Sequence, residues 1–184
     1  MPSFTRNGDD GYTGLLGEER VPKYHLRPRS FGTVDEASAA LGLARAFSVS
    51  DETKAVIRTI QRDLYRIMAE LAATTETASL FSEIDPERVE WLEFQLGVFE
   101  SKVNVPKEFV ITGAAPSAAA LDVARTVVRR AERLVAQLQH EGDLSNPSLL
   151  AYLNRLSSLC FILMLWENQL AGFEKPSLAK EDET

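Results

Sequence analysis

Two segments of the sequence combine residue types that bind anions. The first is the N-terminal run TRNGDDGYTG, residues 5–14, in which three glycines allow close backbone approach. Its hydroxyl and amide groups can bind phosphate oxygens or organise a metal, and Lys23 adds a positive charge nearby. The run lacks the G-x-x-x-x-G-K-S/T spacing of a P-loop, and no predicted strand precedes it. Taken alone, it is equally well explained as an ordinary flexible terminus.

The second segment is ARTVVRRAER, residues 124–133, on a predicted helix with a basic face. At about 100° per residue, four side chains fall within about a third of the helix circumference, beside a separate apolar stripe: Arg125, Arg129, Glu132 and Arg133. Arg130 points elsewhere. Arginines that flank a carboxylate can grip a polyphosphate. For this motif in isolation, however, a solvated face laced by ion pairs is the favoured interpretation.

The composition limits the classes of protein that remain. The 184 residues, 45% of them hydrophobic, fit one domain with a sizeable core. A single cysteine excludes a disulfide framework and favours a reducing, cytoplasmic environment. The net charge of -7 argues against general nucleic-acid binding. No apolar run is judged long enough for a membrane span, and the polar N-terminus is unlike a secretory signal, so no membrane association is expected.

Helical periodicity after residue 32 predicts the elements that must position these side chains. Residues 1–32 hold five of the ten glycines and are expected to form an ordered or ligand-ordered arm. Residues 33–172 form the helical domain, and residues 173–184 a disordered tail. The expected fold is an all-α, five-helix antiparallel bundle with a ferritin-like up-down arrangement. The predicted helices start at Thr33, after a cap at Asp51, at the Asp85-Pro86 pair, at Pro116 and at Asn146-Pro147.

Other kinds of catalytic site are disfavoured. The only histidines are His25 and His140, and there is no Glu-x-x-His, so a ferritin-like di-metal centre lacks its ligands. Cys160 stands in an apolar run, which indicates a buried structural thiol rather than a nucleophile. The G-x-S-x-G elbow of acyl-transfer enzymes is absent.

Five blocks occur together in a characteristic order: TRNGDDGYT, RVPK, GTVDE, ARTVVRRAER and YLNRLS. Over roughly residues 4–168 the chain resembles the PduO-type ATP:cob(I)alamin adenosyltransferases, and the combination is far more specific than any single block. The resemblance implies a homotrimer in which ATP lies between neighbouring subunits beneath a corrinoid. It also implies that cobalt(I) takes the 5'-deoxyadenosyl group of ATP, that triphosphate leaves, and that Mg²⁺ is held mainly by the ATP phosphates rather than by protein ligands.

The same resemblance assigns roles to residues by matching position. In the arm, the residues that would contact ATP are Thr5, Arg6, Asn7, Gly8, Asp9, Gly11, Thr13 and Lys23. On the helices, those that would line the ATP pocket are Arg129, Arg130, Glu132, Arg133 and Asn154. Arg125 would pair with Asp35 of a neighbouring subunit, and Phe109 would displace the lower cobalt ligand.

The match is less complete on the corrinoid side. Thr112 and Ala114 stand at the first and third positions of a Pro-Gly-Gly run, Asp122 replaces a histidine, and Ser158 replaces an aspartate. These departures leave open a paralogue that binds ATP or a corrinoid as a sensor or carrier, and, less well supported, a trimeric scaffold. A reductase or a cobalamin-dependent acceptor enzyme is a further partner that the resemblance implies.

Overall fold

The computed structural model describes residues 6–173, 175 and 177–180, so Thr5 lies outside the described residues. Five α-helices make up most of this part: α1 Leu26–Phe47, α2 Asp51–Ala72, α3 Pro86–Glu100, α4 Pro116–His140 and α5 Pro147–Leu170. The strands are short and form two antiparallel pairs: β1 Tyr12–Gly14 with β2 Arg20–Pro22, and β3 Val110–Ile111 with β4 Ser177–Leu178. The prediction of an all-α protein with five helices is confirmed.

Helix α4 is the centre of the bundle. It packs against α1 on one side and α5 on the other, while α2 packs on α1 and α3 packs on α5. The interior is aliphatic, and Leu41, Ile60, Leu121, Val128 and Leu156 are fully buried. Because α4 uses two sides for packing, its remaining side is the one on which charged residues reach solvent.

Helix α5 is a buried core helix. By length and composition it is apolar enough to cross a membrane, with a mean hydropathy of 1.6 over its most apolar stretch, but 67% of that stretch is buried inside the bundle. The expectation that no apolar run reaches this length therefore fails for α5. The physical reason is that α5 packs against both α3 and α4, so it is apolar on more than one side.

Helix α1 begins at Leu26, seven residues before the start predicted at Thr33. The ring nitrogen Nδ1 of His25 accepts from Arg27 N at 3.3 Å and caps the first turn. Pro28 stands within this turn, where a proline costs no helical hydrogen bond. Instead of capping the helix, Thr33 donates its hydroxyl to a backbone carbonyl within it, at 2.7 Å. The arm thus ends at His25.

Arg27 explains why the helix starts early. Its side chain is buried, and its guanidinium donates to three backbone carbonyls, those of Leu71, Ala73 and Asp143. These carbonyls belong to the end of α2 and to the loop between α4 and α5, where they lack helical partners. The contact is tertiary, so the local sequence pattern does not reveal it.

The remaining helix starts lie close to their predicted positions. Asp85 accepts from Arg88 N at 2.8 Å, and Asn146 Oδ1 accepts from Ser148 N at 2.9 Å, each with a proline as the next residue. The cap of α2 is Ser50 rather than the predicted Asp51. Asp51 instead occupies the first turn, where a negative charge is favourable.

Part of the predicted tail is ordered. Ser177 and Leu178 pair with Ile111 and Val110, and Ala179 N donates to the carbonyl of Phe109 at 2.8 Å. Without this pairing, the short strand Val110–Ile111 would have unpaired backbone groups, and the chain end satisfies them. Residues 174, 176 and 181–184 lie outside the described residues.

Candidate functional site

The arm brings the glycine-rich loop and the predicted phosphate-binding lysine together. Lys23 N donates to the carbonyl of Gly11 at 2.9 Å, next to the pairing of β1 with β2. A Cβ added at Gly8 would lie 2.9 Å from Lys23 Nζ, so the ammonium rests against the loop backbone. Gly11 has φ +83°, a conformation that glycine adopts without strain. Of the other described arm residues predicted to contact ATP, most are exposed and one is half-buried: Arg6, Asn7, Asp9 and Thr13.

An ion pair that sequence reasoning missed holds this loop in shape. The two terminal nitrogens of Arg20 donate to the two carboxylate oxygens of Asp10, each at 3.0 Å, and one of them also donates to the carbonyl of Asn7 at 2.7 Å. The hydrogen bonds from Arg20 lower the pKa of the Asp10 carboxyl. Asp10 also accepts from Tyr12 N at 3.1 Å. The ten-residue separation of this pair gives no local sequence signal.

The arginine helix lines a groove of about 520 Å³ between α4 and α5. Four of the predicted pocket residues line it together: Arg129, Glu132, Arg133 and Asn154. Asn154 donates to Glu132 Oε1 at 2.8 Å, so the two helices present one connected polar surface. Arg155 joins this surface by donating to Asn154 Oδ1 at 2.9 Å, and it pairs with Glu93 at 2.8 Å. Sequence reasoning missed Arg155, although it adjoins Asn154 in the YLNRLS block.

Two arginines of this groove are not neutralised by ion pairs within the described residues, in contrast to the solvated helix face described above. Neither Arg129 nor Arg133 has an ion pair or a side-chain hydrogen bond to any residue in the described part of the chain. Glu132 is bound by an amide rather than by an arginine. Arg130 instead pairs with Glu36 of α1, on a different side of α4, as the helical projection predicts. Two guanidinium groups are therefore available to an anion in the groove.

Arg125 lies one turn before Arg129 and pairs within its own chain. Its Nε donates to Asp122 Oδ1 at 2.7 Å, and Asp122 Oδ2 accepts from Thr112 Oγ1 at 2.9 Å. These residues line a cavity of about 190 Å³ together with Phe109, whose side chain is 79% exposed. The resemblance places Arg125 against Asp35 of a neighbouring subunit, and Asp35 is exposed on α1.

A third depression joins the arginine groove to the Phe109 cavity. It measures about 520 Å³, and its walls include the apolar side chains of Leu96, Phe161 and Ile162 as well as Ser158. It shares Arg129 with the arginine groove and Arg125 with the Phe109 cavity. The three depressions therefore form a trough along the exposed side of α4, polar at one end and aromatic at the other. We call it the α4 trough.

The described part of the arm does not contribute to the α4 trough of its own chain. None of residues 6–25 lines any of the three depressions. The arm is attached at the end of α2, where Leu16 N donates to the carbonyl of Ala72 at 2.7 Å. The arm loop and the arginine groove are thus both formed, but within the described part of one chain they do not contact each other.

Two other features take no part in the trough. A groove of about 580 Å³ between α1 and α2 is lined by Arg45, Arg58 and Arg62 among others, and it contains none of the predicted site residues. Cys160 is fully buried, and burial raises the pKa of its thiol to about 12. The thiol is therefore protonated and inaccessible, as expected for a structural cysteine.

The comparisons with known proteins agree with this geometry. A family model described as cobalamin adenosyltransferase matches residues 3–167. The chain belongs to the cobalamin adenosyltransferase family. The matched range contains the whole α4 trough and nearly all of the arm.

Curated members of the adenosyltransferase family are clearly similar to this chain. A corrinoid adenosyltransferase of Bacillus subtilis is 35% identical over 176 residues, which cover 94% of this chain and 89% of that protein. One of Mycobacterium bovis is 39% identical over 87% of this chain and 85% of its own length. The corrinoid adenosyltransferase PduO of Salmonella typhimurium is 34% identical over 89% of this chain, but the chain spans only 48% of that longer protein.

Solved structures of this adenosyltransferase family have the same fold. A variant of the PduO-type ATP:corrinoid adenosyltransferase from Lactobacillus reuteri, complexed with cobalamin and ATP, superposes with a TM-score of 0.88. It is 29% identical in sequence, and the match covers 98% of this chain and 97% of that one. A second variant, complexed with ATP, superposes with a TM-score of 0.85 at 29% identity, over 96% of this chain and 99% of the other.

Proposed function

We propose that this protein transfers the 5'-deoxyadenosyl group of ATP to the cobalt(I) of a corrinoid, at the subunit interfaces of a homotrimer. The α4 trough is the observation that carries the proposal. Its polar end has two arginines without a partner among the described residues, its middle has apolar walls, and Phe109 stands at its far end. A nucleotide at the first end and a corrinoid in the middle would be held side by side.

The chain's own residues position the two substrates and neutralise the triphosphate charge, and none of them forms a covalent bond to the transferred group. In the transfer, a bond forms between cobalt and the ribose 5' carbon, the bond from that carbon to oxygen breaks, and the electron pair leaves with triphosphate. Arg129 and Arg133 stabilise the negative charge that the leaving group gains. Glu132, held by Asn154, orients a neighbouring guanidinium or accepts a ribose hydroxyl. Lys23, on the arm, adds charge at the phosphates.

A homotrimer would complete the site, because residues 6–25 of the arm do not reach the trough of the same chain. Along α1, Asp35, Ala39, Leu43 and Phe47 are exposed at successive four-residue steps. Leu43 and Phe47 are each 51% exposed, which makes an apolar stripe continuous with Asp35. A neighbouring subunit that covers this stripe would bring Asp35 to Arg125 and the arm to the arginine groove.

In this proposal, Mg²⁺ binds together with the nucleotide. Among the described residues, no group of three or more His, Cys, Asp or Glu side chains is placed to hold a metal ion. The phosphates would supply most of its ligands, as is usual for Mg²⁺ bound with ATP. We place the reaction in the cytoplasm, where ATP is available and the single cysteine remains reduced.

An anaerobic assay with chemically reduced cobalamin and Mg-ATP tests the function. We expect adenosylcobalamin and triphosphate in equal amounts. The corrinoid absorption spectrum measures the first product, and phosphate analysis measures the second. Binding of ATP without either product would contradict the proposed transfer and favour a sensor or carrier. Sedimentation equilibrium tests the assembly, and a monomer that retains full activity would contradict the inter-subunit site.

A further inference from the structure

The carboxylate of Asp122 joins two parts of the site. Its Oδ1 accepts from Arg125 Nε at 2.7 Å, and its Oδ2 accepts from Thr112 Oγ1 at 2.9 Å. The side chain is 18% exposed, so both bonds are partly shielded from water. Thr112 follows Phe109 by three residues, on the segment that contains β3. One carboxylate therefore connects the segment that carries Phe109 to the helix that carries the arginines.

By the resemblance described above, Thr112 and Asp122 stand where the family pattern would have proline and histidine. A proline fixes its own φ and stiffens the segment around it, whereas a threonine does not. The bond from the Thr112 hydroxyl to a charged acceptor supplies a different restraint on the same segment, and such bonds are stronger than neutral ones. Thr112 and Asp122 contact each other directly, and their hydrogen bond supplies this restraint.

The same carboxylate restrains Arg125 without using up its donors. Only Nε of Arg125 has a hydrogen-bond partner among the described residues. The terminal nitrogens of the planar guanidinium stay available while its orientation is set. Because Arg125 lines both the apolar middle of the α4 trough and the Phe109 cavity, its orientation affects both.

We propose that Asp122 is a positioning residue that sets the placement of Phe109 relative to Arg125. It acts on Phe109 through Thr112 and on Arg125 directly, and it needs no contact with ATP or with the reacting atoms. The inference rests on the proposed function, because the placement matters for catalysis only if a corrinoid enters beside Phe109.

Thr112→Val tests the link to Phe109, since it removes the hydroxyl and keeps the branched shape. In the ligand-free protein, we expect amide hydrogen exchange in residues 108–112 to become about tenfold faster, as expected from the loss of one hydrogen bond to a charged group. With ATP and cobalt(II) corrinoid, we expect a lower yield of four-coordinate cobalt(II), the form in which the lower cobalt ligand has been displaced. The same fall is expected in Phe109→Ala. ATP affinity should be unchanged.

The matched control is Thr59→Val on α2, where the lost hydroxyl donates to the carbonyl of Ala55 at 3.2 Å. The proposal would be overturned if Thr112→Val and Thr59→Val had the same amide exchange in residues 108–112 and the same yield of four-coordinate cobalt(II).

A double-mutant cycle adds a second measurement. If Asp122 acts on Phe109 through Thr112, the double variant Thr112→Val/Asp122→Ala should give the same yield of four-coordinate cobalt(II) as Asp122→Ala alone. Additive effects of the two substitutions in the double-mutant cycle would also overturn the proposal.

The exchange measurement separates this inference from the proposed function. If the wild-type protein forms no adenosylcobalamin, the proposed function fails. Faster exchange of residues 108–112 in ligand-free Thr112→Val would still support the positioning role, and unchanged exchange would still contradict it.

Discussion

The ammonium of Lys23 lies against the backbone of Gly8, and a methyl group added at Gly8 would stand 2.9 Å from Nζ and 3.1 Å from Cε. A separation below 3.0 Å cannot be kept, so one of the two groups must move. The lysine end is flexible and exposed and would move first. Glycine at this position therefore determines where the arm places its positive charge.

Gly8→Ala should weaken ATP binding with little change in the free energy of unfolding. We expect about a fivefold rise in the ATP dissociation constant by calorimetry, which corresponds to ~1 kcal/mol for one exposed charge contact. Gly14→Ala is the control, because an added Cβ at Gly14 meets nothing within 4 Å. Equal ATP affinity in the two variants would contradict the placement of Lys23 at the phosphates.

Arg129→Ala should weaken ATP binding about 10- to 100-fold, the range for a lost charge-assisted hydrogen bond to phosphate. The guanidinium has no partner among the described residues, so its removal leaves no buried group unpaired and the fold should be retained. Arg58→Ala removes an exposed arginine from the separate α1–α2 groove and serves as the control. A larger loss in Arg58→Ala than in Arg129→Ala would count against the α4 trough as the nucleotide site.

Asp63→Ala should destabilise the bundle by about 3–5 kcal/mol, the usual cost of removing one partner of a buried ion pair. The Asp63 carboxylate is 1% exposed; it pairs with Arg66 and Arg88 and accepts from the Tyr152 hydroxyl at 2.8 Å. Burial and the Asp63 charge raise the pKa of Tyr152 well above its ordinary value. Urea denaturation measures the loss.

Asp51→Ala is the matched control for Asp63→Ala, since its pair with Lys54 lies on the surface and its side chain is 99% exposed. We expect a change of about 0.5 kcal/mol or less for that pair. A similar small change in Asp63→Ala would show that the buried network of α2, α3 and α5 does not stabilise the fold.

Glu70→Gln should change the pH dependence of stability. The Glu70 side chain is buried between the end of α2 and Asn146, and burial raises the pKa of its carboxyl above the ordinary 4.5. With a raised pKa, the protonated form contributes stability that is present below pH 4.5 and lost as the pH rises through the folded-state value. The variant, which does not titrate, should therefore gain stability relative to wild type between pH 4.5 and neutrality.

Urea denaturation of wild type and Glu70→Gln at several pH values measures this difference. Glu76→Gln, an exposed carboxyl in the loop after α2, controls for the loss of one negative charge. A stability difference between wild type and Glu70→Gln that does not change with pH would contradict the prediction.

The sequence by itself determined the helices and the kinds of groups at the site. Periodicity and the Asp85-Pro86 and Asn146-Pro147 pairs located three helix starts within a residue, because caps and first-turn prolines act through adjacent backbone groups. The same 100° projection that grouped Arg129, Glu132 and Arg133 also separated Arg130, which pairs with Glu36. Local geometry was sufficient in each case.

Tertiary structure decided the contacts between residues that are far apart in the chain. Arg27 starts α1 early by binding carbonyls as far away as Asp143, and β4 orders part of the predicted tail against the Phe109 segment. Arg20 with Asp10 and Thr112 with Asp122 each join positions ten residues apart. Such contacts form only when the folded chain brings the partners together, so no periodic pattern in the sequence predicts them. The α4 trough itself is of this kind, because its walls come from helices that only packing places side by side.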